Sequence, residues 1–152
     1  MKIKMRTMAA TAMMMLALTA CTTKSEKNNE VNNFTIQRGT NLSHWLSQSE
    51  ERGEQRLKHI QEDDFARLDS LGFDFVRIPI DEVQFWDEKG EKLPEAWDLL
   101  TFALDQCGKH HLRAIVDLHI IRSHYFNAVN EGNADANTLF TSEKAQQDLI
   151  NM

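Results

Sequence analysis

Leu112-Arg113-Ala114-Ile115-Val116-Asp117-Leu118-His119 is the stretch whose reading decides the fold. It begins as a near-continuous apolar run and ends in charged and polar side chains. Strands covered on both faces read this way, because helices flank a parallel sheet on each side. A second stretch, Phe73-Asp74-Phe75-Val76-Arg77-Ile78-Pro79-Ile80, has the same shape and runs into Asp81-Glu82. Between the two, Ala96, Leu99, Leu100, Ala103, Leu104 and Cys107 recur at i, i+3, i+4 and i+7, the spacing of one helix face. Two buried strands about forty residues apart with a helix between them make a βαβ unit. Polar residues gather at the C-terminal strand ends, where barrels and open α/β sheets place their chemistry.

Working outward from this unit, Phe34–Asn41 reads as an earlier strand, with Gly39 permitting close backbone approach near its end. Leu42–His59 reads as a loop holding His44 and Trp45, and its charged run Glu50–Arg56 as solvated surface. Asp63-Asp64 open a helix that reaches Leu71, and Gly72 fits the position just past it. Pro79 lacks a donor, so strand pairing is expected to end near it. Trp86–Leu93 reads as a loop turning at Glu88-Lys89-Gly90. Pro94 suits the first turn of the following helix, which Gly108 is expected to end. A long loop, Ile120–Phe140, carries Arg122, His124, Tyr125, Phe126 and Asn127 in close succession, and Ser142–Met152 begins another helix. The rhythm is that of an α/β chain forming the N-terminal portion, about three βα units, of a (β/α)8 TIM barrel. A whole barrel takes about 250 residues, so it is not completed in this chain. A small doubly wound domain competes, but no Gly-rich phosphate loop follows the first strand.

The 152 residues carry a formal charge of −6, and Lys2, Lys4 and Arg6 lie in the first six. The remainder is therefore distinctly acidic, which argues against nucleic acid as a partner. The basic start precedes an apolar run, Met8–Ala20, too short to span a bilayer. Leu18-Thr19-Ala20-Cys21 resembles the bacterial lipoprotein signal. That resemblance implies a lipidated Cys21 as the new N-terminus and an exported lipoprotein, membrane-anchored in the periplasm, at the outer membrane or on the cell surface. The expected organisation is a signal peptide at 1–20, a polar tether at 21–33 and a partial barrel domain at 34–152. Cys107 is the one cysteine after Cys21, so the mature chain can form no internal disulfide, and its place on an apolar stripe reads as a buried structural thiol.

Two polar residues in the buried strands stand out. Arg77 sits in an apolar strand and needs a partner. Its structural reading is an ion pair with Asp74 or Asp81, and its functional reading is to hold a catalytic carboxylate ionised. His119 reads as a satisfied core histidine or as a site residue at a strand end. Trp45, Trp86, Tyr125 and Phe126 fall in loops, where flat rings suit sugar faces or ordinary packing.

Arg38-Gly39-Thr40-Asn41-Leu42, Gly72–Pro79 and Val116-Asp117-Leu118-His119 together resemble the N-terminal part of glycoside hydrolase family five, the cellulase-type retaining β-glycosidases. The resemblance runs from about Thr35 to the C-terminus and implies a TIM barrel that hydrolyses a β-linked polysaccharide with two glutamates. It further implies that Arg77 steadies the nucleophile and that His119 contacts the sugar. Asn41, Trp45, His124, Tyr125 and Asn127 are the expected substrate-binding residues. In the family the two glutamates follow strands four and seven, so the chain is expected to stop before both and to be inactive alone. Asn130-Glu131 imitates the family's Asn-Glu pair, but too few residues separate it from His119 for a helix and a strand. No cofactor and no metal are expected. A sugar-binding lipoprotein without catalysis is the alternative. A metal-dependent hydrolase using Asp117, His119 and His124 is a third reading, disfavoured because their spacings are not those of standard metal ligands.

Overall fold

The computed structural model describes residues 35–152. The signal, the tether and Cys21 lie outside the described residues. A mixed α/β arrangement is built on a parallel sheet of three strands in the order β1-β2-β3, where β1 is Gly39–Asn41, β2 is Phe75–Asp81 and β3 is Arg113–Ile120. Five helices accompany them in the described chain: α1 (Glu54–His59), α2 (Glu62–Ser70), α3 (Glu82–Phe85), α4 (Pro94–Lys109) and α5 (Glu143–Asn151).

The expected first strand shrinks to three residues. Asp74 explains where it begins, because its carboxylate accepts from the Gln37 and Arg38 backbone N–H groups, both at 2.8 Å, in place of ladder bonds. Gly39 pairs with Phe75, and a Cβ on Gly39 would fall inside the Phe75 ring. Close approach is therefore what this glycine supplies.

Pro79 does not end the pairing, contrary to expectation, since β2 goes on pairing with β3 through Asp81. The reason lies in which edge the proline faces. The Arg77 carbonyl accepts from Leu42 N–H, and Asp81 N–H donates to the Leu46 carbonyl, so residues 77, 79 and 81 direct their backbone groups away from β3. The missing donor falls where β1 has already ended.

Val76, Ile78 and Ile80 point to one face, where they pack with Phe65, Leu99, Leu100, Ala103 and Cys107 in the main core. α4 follows the predicted stripe, except that Leu104 is exposed. Gly108 does not end this helix. It continues to Lys109, and His111 takes the left-handed position with φ 57°. β3 is less covered than its apolar sequence predicts, with Val116 and Leu118 exposed at 43% and 38%. It is the edge strand of the described sheet, so nothing beyond it in that sheet shields them.

The charged run Glu50–Arg56 is not uniformly solvated. Arg56 is buried in α1, paired with Glu95 at 3.2 Å. Six residues with no apolar repeat gave α1 no sequence signature.

Replacing Gly39 by Ala is expected to lower unfolding free energy by about 1–3 kcal/mol, the usual cost of overpacking. Denaturant titration reads this, and Phe75→Leu in the same chain should recover part of the loss. Burial pushes the Cys107 thiol up to about 11. Native protein at pH 8 should therefore react with iodoacetamide only slowly, faster as pH rises, and rapidly once urea unfolds it.

Candidate active site

Register decides which polar side chains meet. Asn41 pairs with Arg77, Arg77 with Ile115, and Pro79 with Asp117. Partners across a ladder share a face, so Asn41, Arg77 and Asp117 stand together on the side opposite the core. The register then slips: Ile80 pairs with Leu118 but Asp81 with Ile120, which leaves His119 as the extra residue of a bulge. Bulges next to sites re-aim a side chain. Here the imidazole turns back toward Arg77.

Arg77 is the centre of the cluster. Its Nη2 donates to Asp117 Oδ2 and lies 3.2 Å from His119 Nδ1, while Nη1 donates to Asn41 Oδ1 at 3.3 Å. Neither partner proposed from sequence is used. Asp74 serves the Gln37 and Arg38 amides, and Asp81 is buried and accepts from the Gln48 amide at 2.7 Å. The Arg77–Asp117 pair is about a third exposed on each side, so its main effect is orientation.

The β1–α1 loop closes the site from the other side. His44 and Gln48 both hold left-handed backbone, at φ 54° and 52°. Such conformations in residues other than glycine concentrate at functional sites. Asn41, His44, Gln48, Arg77, Pro79 and His119 line a cavity of about 200 Å³. The Phe126 ring, largely exposed, lies 5.4 Å from the His119 ring.

The other expected sugar contacts do not join this cluster. Trp45 is fully buried and its indole donates to the Arg56 carbonyl at 2.9 Å, so it has no face to offer a sugar. Trp86 packs in the core against Phe85 and Trp97. His124 lies against Phe140. Tyr125 and Asn127 both donate to Glu131 Oε1, at 2.7 and 2.9 Å, and that hydrogen bond raises the tyrosine's pKa. Glu131 thus stands in an exposed loop. Glu82 pairs with Arg122, whose backbone amide it also accepts. Among the described residues no three His, Cys, Asp or Glu side chains converge as a metal would need.

Asp117, Gln48 and Phe126 were not assigned as contacts of this pair. For Asp117 a signal existed: in a strand, residues two apart share a face, so an Asp-x-His at a strand end brings both side chains to one place. Gln48 carried none, because loop geometry sets its position.

No family model matches the chain. Cellodextrinase A of Ruminococcus flavefaciens is 30% identical over 84 residues, 55% of this chain and 25% of the relative. Endoglucanase C of Acetivibrio thermocellus is 26% identical over 117 residues, 75% of this chain and 33% of the relative. The chain therefore spans a quarter to a third of the length of these relatives. A crystal structure of a glycoside hydrolase superposes with a TM-score of 0.61 at 18% identity, covering 77% of this chain and 34% of that one. It shares the fold. The sequence relatives are a cellodextrinase, endoglucanases and a glucan 1,3-beta-glucosidase, and the superposed structure is that of a glycoside hydrolase.

Proposed function

We propose that this chain is part of a cellulase-type or endoglucanase-type glycoside hydrolase that cleaves O-glycosyl bonds in a β-linked polysaccharide by a retaining mechanism. The observation that carries the reading is the cluster of Asn41, Arg77, Asp117 and His119 at the C-terminal ends of three parallel strands. In a completed barrel those ends form the catalytic face. A retaining reaction needs two carboxyl groups about 5 Å apart, one protonated to release the leaving oxygen and one ionised to attack the anomeric carbon. Arg77 supplies fixed positive charge, which favours the ionised form of a neighbouring carboxylate. His119 and Asn41 supply hydrogen bonds to sugar hydroxyls.

The two glutamates are placed by the family resemblance after strands four and seven, beyond the three strands described here. Asp81, Glu82, Asp117 and Glu131 are each engaged with other groups of the chain. That same observation favours the second reading, a polysaccharide-binding lipoprotein without catalysis. Lipidation at Cys21 would anchor either one to a membrane of the cell envelope.

Two experiments test these roles. In a full-length protein that contains this sequence, Arg77→Ala should lower kcat by about two powers of ten or more, the scale of losing one charge-stabilising group. His119→Ala should lower kcat/KM through lost transition-state contacts. Folded variants with wild-type kinetics would return both residues to a structural role. Separately, Cys21→Ala should abolish incorporation of labelled fatty acid in a bacterial host. Undiminished label in the variant would contradict the lipoprotein reading.

A further inference from the structure

We propose that Gln48 is a positioning residue that holds the His119 imidazole in one tautomer, with its hydrogen on Nε2. The argument begins at the opposite nitrogen. The nearest polar contact of Nδ1 is Arg77 Nη2 at 3.2 Å, and a guanidinium can only donate, so Nδ1 accepts. A neutral ring that accepts at Nδ1 carries its hydrogen on Nε2. Gln48 Nε2 stands 3.3 Å from His119 Nε2, and two donors cannot share that contact once Nδ1 accepts from Arg77; a half-turn of the amide, which exchanges its nitrogen and oxygen ends, brings Oε1 there to accept this hydrogen. The competing tautomer would place hydrogen on Nδ1 and donate it to Asp117 Oδ2, 3.4 Å away. With Phe126 against the ring, these are the groups that face it.

The loop is built to keep Gln48 there. Its left-handed backbone is an uncommon state for a residue other than glycine. Two contacts hold it: the amide donates to the buried Asp81 carboxylate at 2.7 Å, and the Gln48 carbonyl lies 3.2 Å from His44 Nδ1. A buried acid at the end of β2 thus fixes a loop backbone, and that loop aims an amide at the histidine of β3. The outcome is an Nε2–H directed at the cavity of about 200 Å³. If the glycosidase reading holds, that hydrogen is available to a sugar hydroxyl oxygen that displaces or shares the glutamine. This consequence rests on that reading, whereas the state of the free ring does not.

The test is therefore made without sugar. Long-range ¹H–¹⁵N correlation spectra of the full chain at pH 8, assigned with His119→Gln, report which ring nitrogen carries the hydrogen. Wild type should show a neutral ring with hydrogen on Nε2. Gln48→Met keeps the length but removes the polar group. Gln48→Asn tolerates left-handed backbone but falls short of the ring. Both should raise the Nδ1–H share by at least about twofold, the scale of one neutral hydrogen bond. A wild-type ring with hydrogen on Nδ1, a charged wild-type ring at this pH, or an unchanged ratio in both variants would overturn the proposal. Failure here leaves the glycosidase reading standing, because the Arg77 and His119 kinetics test that separately.

Discussion

A guanidinium inside an apolar parallel strand cannot shed its proton, so the surrounding chain must supply acceptors for it. Arg77 is that group, and the geometry of the site follows from how the requirement is met. One acceptor comes from each neighbouring strand, Asn41 from β1 and Asp117 from β3. Both stand where register places them, on the same face as Arg77. The bulge after Ile80 then brings His119 into the same group. Three strands are thereby tied together at one end by polar contacts, while Val76, Ile78 and Ile80 tie the other face to the helices by apolar packing.

The division between the faces also explains the loops. Trp45 and Leu46 are consumed by the core, and their burial anchors the loop that carries His44 and Gln48 to the polar side. Asp81 links the two regions: its backbone bonds Leu46 and its carboxylate bonds Gln48. A proline beside it is tolerated because its missing donor faces the edge that β1 has left. Strain in the loop, burial of the acid and placement of the amide are parts of one arrangement.

Much of the fold was legible in the sequence. The apolar runs ending in charge located β2 and β3, and the i, i+3, i+4, i+7 stripe located α4 and its buried Cys107. Short elements were not legible: α1 and α3 have too few residues for a period to show, and β1 is shortened by the side chain of Asp74. In the site, Arg77, His119 and Asn41 were expected as site residues from the resemblance, and their side chains lie together at the strand ends. Arg77's partner was missed because sequence proximity favoured Asp74 and Asp81, whereas pairing across strands selects Asp117. Trp45 was misread because an aromatic residue in a loop gives no sign of whether its ring turns inward. Buried area and an indole bond to the Arg56 carbonyl decided that it does.

The central claim is that the strand-end cluster is a sugar-binding half-site. Chemical-shift titration of the full chain with cellotetraose tests it most directly. The account predicts weak, saturable shifts at millimolar sugar, centred on Asn41, Gln48, Arg77 and His119, and lost in Arg77→Ala. Absence of shifts at these residues, or shifts confined to the separate cavity between Arg122 and α5, would contradict it.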